Sequence, residues 1–291
     1  MKKPDKALTL VISLLILSGT ALSFIIISHH SNDINKISVS KVNLNVRNFS
    51  VYYGSVVNES IISYLNNFSM VIIQPDIFSH QNLTEIRPLK IAYIDLGEFD
   101  GTVLGNYSIN VSSIAIGYDS NWNQTIVNVS SPIWKNFIIY MVNQSISLGF
   151  NGVLFDDLDV VEQYPWELQG FINIISYVRE DFPSIIIGVN RGFPVIPYIN
   201  KYINFVMYED FGSYYDFNSS TYAYLNSTQI LTLKQRVSYF KSLGLVVVGL
   251  GYSSQPFNQM YYFDESLGSQ LNVPVYISNL SLSATWQQNL T

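Results

Sequence analysis

Along most of the chain, short continuous runs of apolar residues alternate with longer segments whose polar and apolar positions suit helices. Continuous Val, Ile and Leu runs are typical of parallel strands that are covered on both faces. The pattern predicts eight strands, at Phe49–Tyr53, Met70–Gln74, Lys90–Ile94, Gly152–Phe155, Ile185–Val189, Ile203–Tyr208, Leu245–Leu250 and Val273–Ile277. It predicts helices at about 56–66, 132–148, 165–181, 195–201, 229–242 and 256–267. Together they predict an α/β fold, a (β/α)8 TIM barrel whose eighth helix is incomplete.

The segment Gly101–Ser131 does not fit this alternation. It is longer than an ordinary connection between a strand and a helix, and it shows no strong helical period. We therefore expect an elaborated loop after strand three, placed over the mouth of the barrel. Residues 29–47 are mostly polar and predict a stalk, and residues 48–291 are predicted to form one barrel domain.

The N-terminal segment indicates export. Residues Ala7–Ser28 are uncharged and mostly apolar, and they follow Lys2, Lys3 and Lys6. This length is sufficient for a transmembrane helix whose lysines stay in the cytoplasm. A cleavable signal peptide is the alternative, because residues 21–23 offer a small-x-small cleavage site. Under either interpretation the rest of the chain is extracellular, membrane-anchored or secreted.

Composition narrows the class of protein. The charged fraction of 12% is about half the usual share. Net charge is −6, and basic residues cluster only before residue 7, so the charge distribution argues against nucleic acid as a partner. There is no cysteine. Of 27 asparagines, 13 lie in Asn-x-Ser/Thr sequons, which predicts an exported glycoprotein. These features suggest the outer surface of an archaeal cell, with an acid environment as a further hypothesis. We expect a monomer.

Carboxylates follow two of the predicted strands directly. Asp156, Asp157 and Asp159 come after strand four, and Glu209 and Asp210 come after strand six. Polar groups at the carboxyl ends of barrel strands are where such folds build active sites. Side chains alternate along a strand, so we expect only some of the three aspartates to point into the mouth. A second carboxylate two strands from the first suits glycoside hydrolysis, in which one attacks or activates water and the other protonates the leaving oxygen.

Other polar groups are predicted at the same mouth. Glu98 follows strand three and is a better candidate for the mouth than Asp95, which is expected either to line the core or to bond to a neighbouring strand. Asn190 and Arg191 follow strand five, where an amide can bind a substrate hydroxyl and a guanidinium can keep a carboxylate ionised. The alternative for this pair is an ordinary turn with a structural arginine.

Tyrosines end several of the predicted strands. Tyr53, Tyr93 and Tyr252 are candidates for stacking on sugar rings and bonding to their hydroxyls, although many tyrosines of such a chain must simply be packed. The three histidines show neither zinc-ligand spacing nor a triad, and no phosphate-binding or dinucleotide fingerprint occurs. We therefore predict no metal and no organic cofactor.

Residues 49–279 resemble glycoside hydrolase family 114, the endo-α-1,4-polygalactosaminidase-like (β/α)8 barrels. The matching pieces are YYG at 52–54, AYIDLGE at 92–98, SPIWKNFI at 131–138, GFNGVLFDDLD at 149–159, VNRGF at 189–193 and MYED at 207–210. The chain departs from the family pattern at Asn151, where Asp is usual, and at Asp95, where Ser is common.

The resemblance implies a nucleophile at Asp156 and an acid/base at Glu209. It also implies that Asp159, Glu98, Asn190 and Arg191 surround the sugar. The expected activity is hydrolysis of an α-linked, amino-sugar-containing polysaccharide. Retention of configuration would require carboxyl groups about 5–5.5 Å apart, and inversion about 6.5–9.5 Å. A non-catalytic glycan-binding or cell-envelope protein on the same scaffold is the alternative, because a fold does not fix function.

Overall fold

The computed structural model describes residues 43–286. The predicted membrane segment and nearly all of the predicted stalk lie outside these residues. Within the described range, none of the helices combines the length and the apolar character that a bilayer span requires.

Thirteen strands lie in the described part of the chain. They are β1 (Phe49–Tyr52), β2 (Met70–Ile73), β3 (Leu89–Asp95), β4 (Glu98–Phe99), β5 (Ala115–Asp119), β6 (Gln124–Val127), β7 (Gly152–Asp156), β8 (Ile186–Asn190), β9 (Phe205–Glu209), β10 (Ser213–Asp216), β11 (Thr221–Tyr224), β12 (Val246–Tyr252) and β13 (Val275–Ser278). Eight of them form one parallel sheet in the order β1-β2-β3-β7-β8-β9-β12-β13. Their side chains are largely buried because helices cover the outside of this sheet.

The two edges of the eight-stranded sheet approach one another. The N–H of Tyr53 donates to the carbonyl oxygen of Leu282, just beyond β13, at 2.8 Å. The rings of Phe49 on β1 and Tyr276 on β13 lie 6.0 Å apart. The sheet is therefore nearly closed into a barrel, in agreement with the predicted (β/α)8 architecture.

Helices fill most of the connections between the barrel strands. They are α1 (Glu59–Leu65), α2 (His80–Glu85), α3 (Pro132–Leu148), α4 (Val160–Gln163), α5 (Leu168–Asp181), α6 (Ile196–Ile199), α7 (Ser227–Ser242) and α8 (Gln259–Leu271). The longest, α3, has the predicted bounds because its ends are marked in the sequence. Ser131 caps the N–H of Ile133, Pro132 fits the first turn, and Gly149 ends the helix at a φ of 109°.

Two antiparallel excursions interrupt the alternation of strands and helices. The predicted loop after β3 contains two strands of a small sheet, ordered β4-β6-β5. A second hairpin, β10-β11, leaves the end of β9 and was not predicted. Its strands read SYYD and TYAY, and these lack the continuous apolar run used to predict the barrel strands. Helices α2 and α4 were also missed.

Candidate active site

The last residues of β7, β8 and β9 are polar and point to one another. Nδ2 of Asn190 donates one hydrogen bond to Oδ1 of Asp156 at 2.8 Å and another to Oε2 of Glu209 at 2.7 Å. Because one nitrogen joins both oxygens, these two oxygens lie no more than about 5.5 Å apart. All three strands extend one residue further than the apolar pattern predicted, so each of these side chains is held by the sheet itself.

The residue after each of these three strands adopts a left-handed backbone. The φ angles are 61° at Asp157, 47° at Arg191 and 58° at Asp210. In an extended strand the next side chain would point to the opposite face, but the left-handed turn redirects it. Consequently Asp157 and Asp159 line the same cavity as Asp156, and the expectation that only some of them reach the mouth was wrong.

These residues surround a cavity of about 500 Å³ at the carboxyl ends of the strands. Its wall carries eight carboxylates and one cationic side chain, Arg191. The carboxylates are Glu98, Asp100, Asp119, Asp156, Asp157, Asp159, Glu209 and Asp210. The other lining residues are amide and aromatic side chains together with Leu280, Ser281 and Leu282, so the mouth is strongly acidic.

Arg191 lies between two of these acids. Its Nη1 is 3.0 Å from Oδ2 of Asp210, and its Nε is 3.4 Å from Oδ2 of Asp159. Even so, burial and the nearby charge of Glu209 raise the pKa of Asp210 to about 7, because they outweigh the attraction of the guanidinium. The predicted role of Arg191 in keeping a carboxylate ionised is therefore only partly met.

The crowding of acids shifts several pKa values upward. Burial, followed by repulsion from Glu209, raises the pKa of Asp156 to about 7. Burial and the charge of Asp119 raise the pKa of Glu98 to about 7. Perturbed carboxyl groups of this kind are common where proton transfer is carried out.

Asp95 and Asp157 form a second acidic group beside Asp156. Oxygens of the three side chains lie within 4.8 Å of one another, a spacing at which carboxylates can ligate a hard cation. Burial is the largest cause that raises the pKa of both Asp95 and Asp157 well above the usual range. Protons therefore provide an alternative means of neutralising this group. Asp95, passed over in favour of Glu98 from the sequence, is nearly as buried as Glu98.

The three predicted tyrosines line the same cavity. The hydroxyl of Tyr252 donates to Oε1 of Glu209. The rings of Tyr53 and Tyr93 pack at a centroid distance of 4.5 Å. Burial is also the main cause that raises the pKa of Tyr53 well above its usual value, so this phenol stays neutral at physiological pH.

The two excursions meet at the rim of the cavity. Trp122, between β5 and β6, packs edge-on against Phe217, between β10 and β11, with ring centroids 5.3 Å apart. Both rings line the cavity, and 47% of Trp122 and 36% of Phe217 remain exposed. Sequence reasoning did not select either ring as a site residue. The available signal was an aromatic residue in a polar segment beside a strand end.

One departure from the family pattern lies away from this mouth. Asn151 precedes β7, at the opposite end of the strand from Asp156. Its Oδ1 accepts the N–H of Lys90 at 2.9 Å, and its own N–H donates to the carbonyl of Lys90 at 2.8 Å. Asn151 therefore pairs β3 with β7.

A larger groove of about 880 Å³ also lies at this end of the barrel, and Glu265 is the only carboxylate among its lining residues.

The family model for glycoside-hydrolase family GH114 matches residues 74–290. The chain belongs to this family. It is therefore a glycosidase, as the resemblance predicted, and the match begins inside the barrel, just after β2. No curated protein sequence matches the chain.

Solved structures similar to this GH114 chain share its fold at low sequence identity. The glycoside hydrolase domain of PelA from Pseudomonas aeruginosa is 17% identical with a TM-score of 0.70, over 82% of this chain and 97% of that one. Ega3 from Aspergillus fumigatus, solved with galactosamine, is 13% identical with a TM-score of 0.60, over 81% and 92%. The α-galactosidase TtGalA from Thermus thermophilus is 12% identical with a TM-score of 0.53, over 84% and 60%.

Proposed function

We propose that this glycosidase hydrolyses an α-linked polysaccharide that contains amino sugars, outside the cell. The observation that carries the proposal is the bridge of Asp156, Asn190 and Glu209 within a cavity wall of eight carboxylates and one arginine. The bridge supplies two carboxylates for glycoside cleavage, and the surrounding charge selects the substrate.

The charge of the cavity favours a cationic sugar. A neutral or anionic polymer would gain no attraction from so many carboxylates, whereas the ammonium group of an unacetylated amino sugar would. Ega3, of similar fold, was solved with galactosamine. We therefore assign a galactosamine-type polymer as the substrate class, with the free amine preferred over the N-acetyl form.

The separation of the two carboxylates supports a retaining mechanism. Their bridged oxygens lie within about 5.5 Å, whereas inverting enzymes need about 6.5–9.5 Å to admit a water molecule. Asp156 attacks the anomeric carbon while Glu209 gives its proton to the leaving oxygen, which breaks the glycosidic bond. Glu209 then takes a proton from water, and this water displaces Asp156 from the sugar.

Substrate binding helps to set the protonation states. Before binding, burial and then repulsion from Glu209 raise the pKa of Asp156 to about 7, so this carboxyl group holds a proton in acid. An ammonium group near Asp156 favours its ionised form by Coulomb attraction. Asn190 then holds the pair in place, and Arg191 holds Asp159 and Asp210 beside it. Tyr53 and Tyr93 offer ring faces, and Glu98 and Asp159 offer acceptors for sugar hydroxyls or the amine.

The proposed location outside the cell is supported by the predicted membrane or signal segment and by the asparagines of the sequons. Of the twelve sequon asparagines in the described residues, eight are exposed and none is buried. The exposed ones are Asn58, Asn67, Asn106, Asn110, Asn123, Asn143, Asn218 and Asn226. Oligosaccharides attached at such positions would not disrupt the core.

The test is release of reducing ends from α-linked galactosamine and N-acetylgalactosamine polymers between pH 2 and pH 8. We expect release from the unacetylated polymer and its loss in both Asp156→Asn and Glu209→Gln. Asp181→Asn, at the exposed end of α5, is the matched control and should keep full activity. Unchanged release in either site variant would refute the assigned mechanism. Glycan binding without hydrolysis in the wild type would instead favour a glycan-binding protein.

A further inference from the structure

One barrel strand runs beyond its neighbour at the active-site end. Strand β9 ends at Glu209, which pairs with Leu250, but β12 continues for two more residues to Tyr252. The carbonyl of Leu250 accepts a hydrogen bond from the N–H of Phe211, just beyond β9. The backbone N–H and carbonyl groups of Leu250 and Tyr252 in β12 therefore face the side on which β9 has ended. At Tyr252 the pairing with β9 has ended, so β9 supplies no backbone partner on that side. The hydroxyl of Ser213 takes its place, since it lies 3.0 Å from the N–H and 2.7 Å from the carbonyl of Tyr252.

A buried carboxyl group lies directly behind this hydroxyl. Asp264 on α8 is 0% exposed, and its Oδ2 contacts Oγ of Ser213. The carboxyl group fits in a slot between two glycines, because a Cβ on Gly212 would collide with Oδ1 and a Cβ on Gly251 would collide with Oδ2. The other wall atoms at these glycines come from Leu267 and Phe211, which carry no charge.

Counting hydrogens shows which group donates. The Ser213 hydroxyl has one hydrogen and three neighbours. The N–H of Tyr252 can only donate to Oγ, and the carbonyl of Tyr252 can only accept from it. If the one hydrogen were donated to Asp264 instead, Oγ and the carbonyl oxygen would lie 2.7 Å apart with no hydrogen between them, so we assign the hydrogen to the carbonyl. The contact with Asp264 is then a hydrogen bond only if Asp264 carries a proton on Oδ2 and donates it.

The surroundings of Asp264 agree with a neutral acid. Neither ion pair in residues 43–286 includes Asp264, and its Oδ1 is buried without a hydrogen-bond partner. An ionised carboxylate in such a place would be far more costly than a carboxylic acid. Burial is also the main cause that raises the pKa of Asp264 well above its usual range.

We infer that Asp264 is a neutral carboxylic acid which, through Ser213, holds the end of β12 so that the Tyr252 hydroxyl donates to Glu209. Asp264 and Ser213 are positioning residues in this arrangement, because neither lines the cavity. The inference rests on the proposed function for its catalytic consequence, since Glu209 is the acid/base only if the protein cleaves glycosides. The hydrogen-bonded arrangement itself does not depend on that activity.

A double-mutant cycle tests the connection to Glu209. Ser213→Ala and Tyr252→Phe should each lower kcat on the galactosamine polymer, on the order of tenfold, as expected for one hydrogen bond. Both should shift the pH profile in the same direction, because both remove the hydrogen bond that the Tyr252 hydroxyl donates to Glu209. If Ser213 acts through the Tyr252 hydroxyl, then Ser213→Ala will have little further effect on kcat in the Tyr252→Phe background.

The matched control is Ser145→Ala. Ser145 is also 0% exposed, and its Oγ donates to the carbonyl of Met141 within α3. This variant should lose stability but keep the kcat and pH profile of the wild type. Independent, multiplicative losses in the Ser213/Tyr252 double variant would overturn the inference.

The protonation of Asp264 is tested without reference to activity. The pKa of Asp264 is higher in the folded state than in the unfolded state. The stability that its proton contributes is therefore complete below about pH 4, and it is lost as pH rises through the folded-state pKa. Asp264→Asn keeps a donor in the slot but cannot ionise, so its melting temperature relative to wild type should rise with pH. A relative melting temperature that falls with pH would show an ionised Asp264 and overturn this part.

A crystal structure of Ser213→Ala distinguishes failure of the inference from failure of the proposed function. If the wild type cleaves no polymer, the proposed function fails, while the structure of the variant still tests the positioning. We expect Tyr252 to lose its contact with Glu209. An unchanged contact in the Ser213→Ala crystal would refute the positioning role, whatever the activity.

Discussion

Asp156 and Glu209, on strands separated by β8, accept hydrogen bonds from the same nitrogen atom of Asn190. Each also has one donor of its own, the N–H of Asp157 for Asp156 and the hydroxyl of Tyr252 for Glu209. Two donors favour an ionised carboxylate, but burial and mutual repulsion still raise the pKa of Asp156. The shared amide therefore holds together two acids that repel one another.

Removing the shared amide should separate the pair. We expect Asn190→Ala to lower kcat/KM by roughly 10- to 100-fold, since hydrogen bonds to charged groups are worth about 1.5–3 kcal/mol. Asn200→Ala, at the partly buried residue that follows α6, is the control and should leave kcat/KM unchanged. The measurement is steady-state hydrolysis of galactosamine oligomers. Full activity in Asn190→Ala would mean that the bridge does not contribute.

The activity should decline in the neutral range. Between the two titration steps of the pair, one carboxylate is ionised and the other holds the proton that the leaving oxygen needs. Since the pKa of Asp156 is raised to about 7, the last proton is lost as pH rises through about 7. We therefore expect kcat/KM to fall above this pH. A profile that rises steadily from pH 6 to pH 9 would contradict it.

The protein should be more stable in acid than in mild base. Asp156, Asp210 and Glu98 all have folded-state pKa values raised to about 7. For a raised carboxyl pKa, the stabilising contribution is complete below about pH 4 and is lost as pH rises through the folded value. We expect the free energy of unfolding, measured by urea titration, to decrease from pH 5 to pH 8. Adding salt should weaken this trend by screening the repulsion.

A matched variant for this prediction is Asp210→Asn, which removes one titrating acid but keeps the shape of the side chain. Its stability should depend on pH less steeply than that of the wild type. Equal slopes for the two proteins would show that Asp210 titrates normally in the folded state.

The aromatic contact at the rim should bind substrate. Trp122→Ala removes a ring over which a cationic sugar can lie, an interaction worth about 0.5–1 kcal/mol at an exposed site, so KM should rise roughly two- to fivefold with little change in kcat. Trp166→Ala is the control, because Trp166 is 67% exposed and packs on Tyr164 but does not line the cavity. An equal rise in KM in both variants would rule out a specific role for Trp122.

Local patterns were sufficient for much of the fold. Continuous apolar residues predict the buried strands β2 and β7, and a serine cap and a terminal glycine predict the ends of α3. These signals act between residues that are close in the sequence. The excursion strands were not predicted because β10 and β11 are stabilised mainly by each other. Strand pairing between distant segments leaves little trace in either segment alone.

The sequence by itself determined which residue types stand at the carboxyl ends of the barrel strands, because apolar runs that end in Asp, Asn or Glu are visible without coordinates. Only the tertiary structure decided how these groups act together. Three features show this: the left-handed turn at Asp157, the nitrogen of Asn190 that two carboxylates share, and the support of Tyr252 by Ser213 and Asp264. In each case, backbone dihedrals and barrel closure bring the interacting groups into contact. Hydrogen bonds depend on distance and angle, and the fold of the chain sets both. Ser213 and Asp264, for example, are 51 residues apart in the sequence.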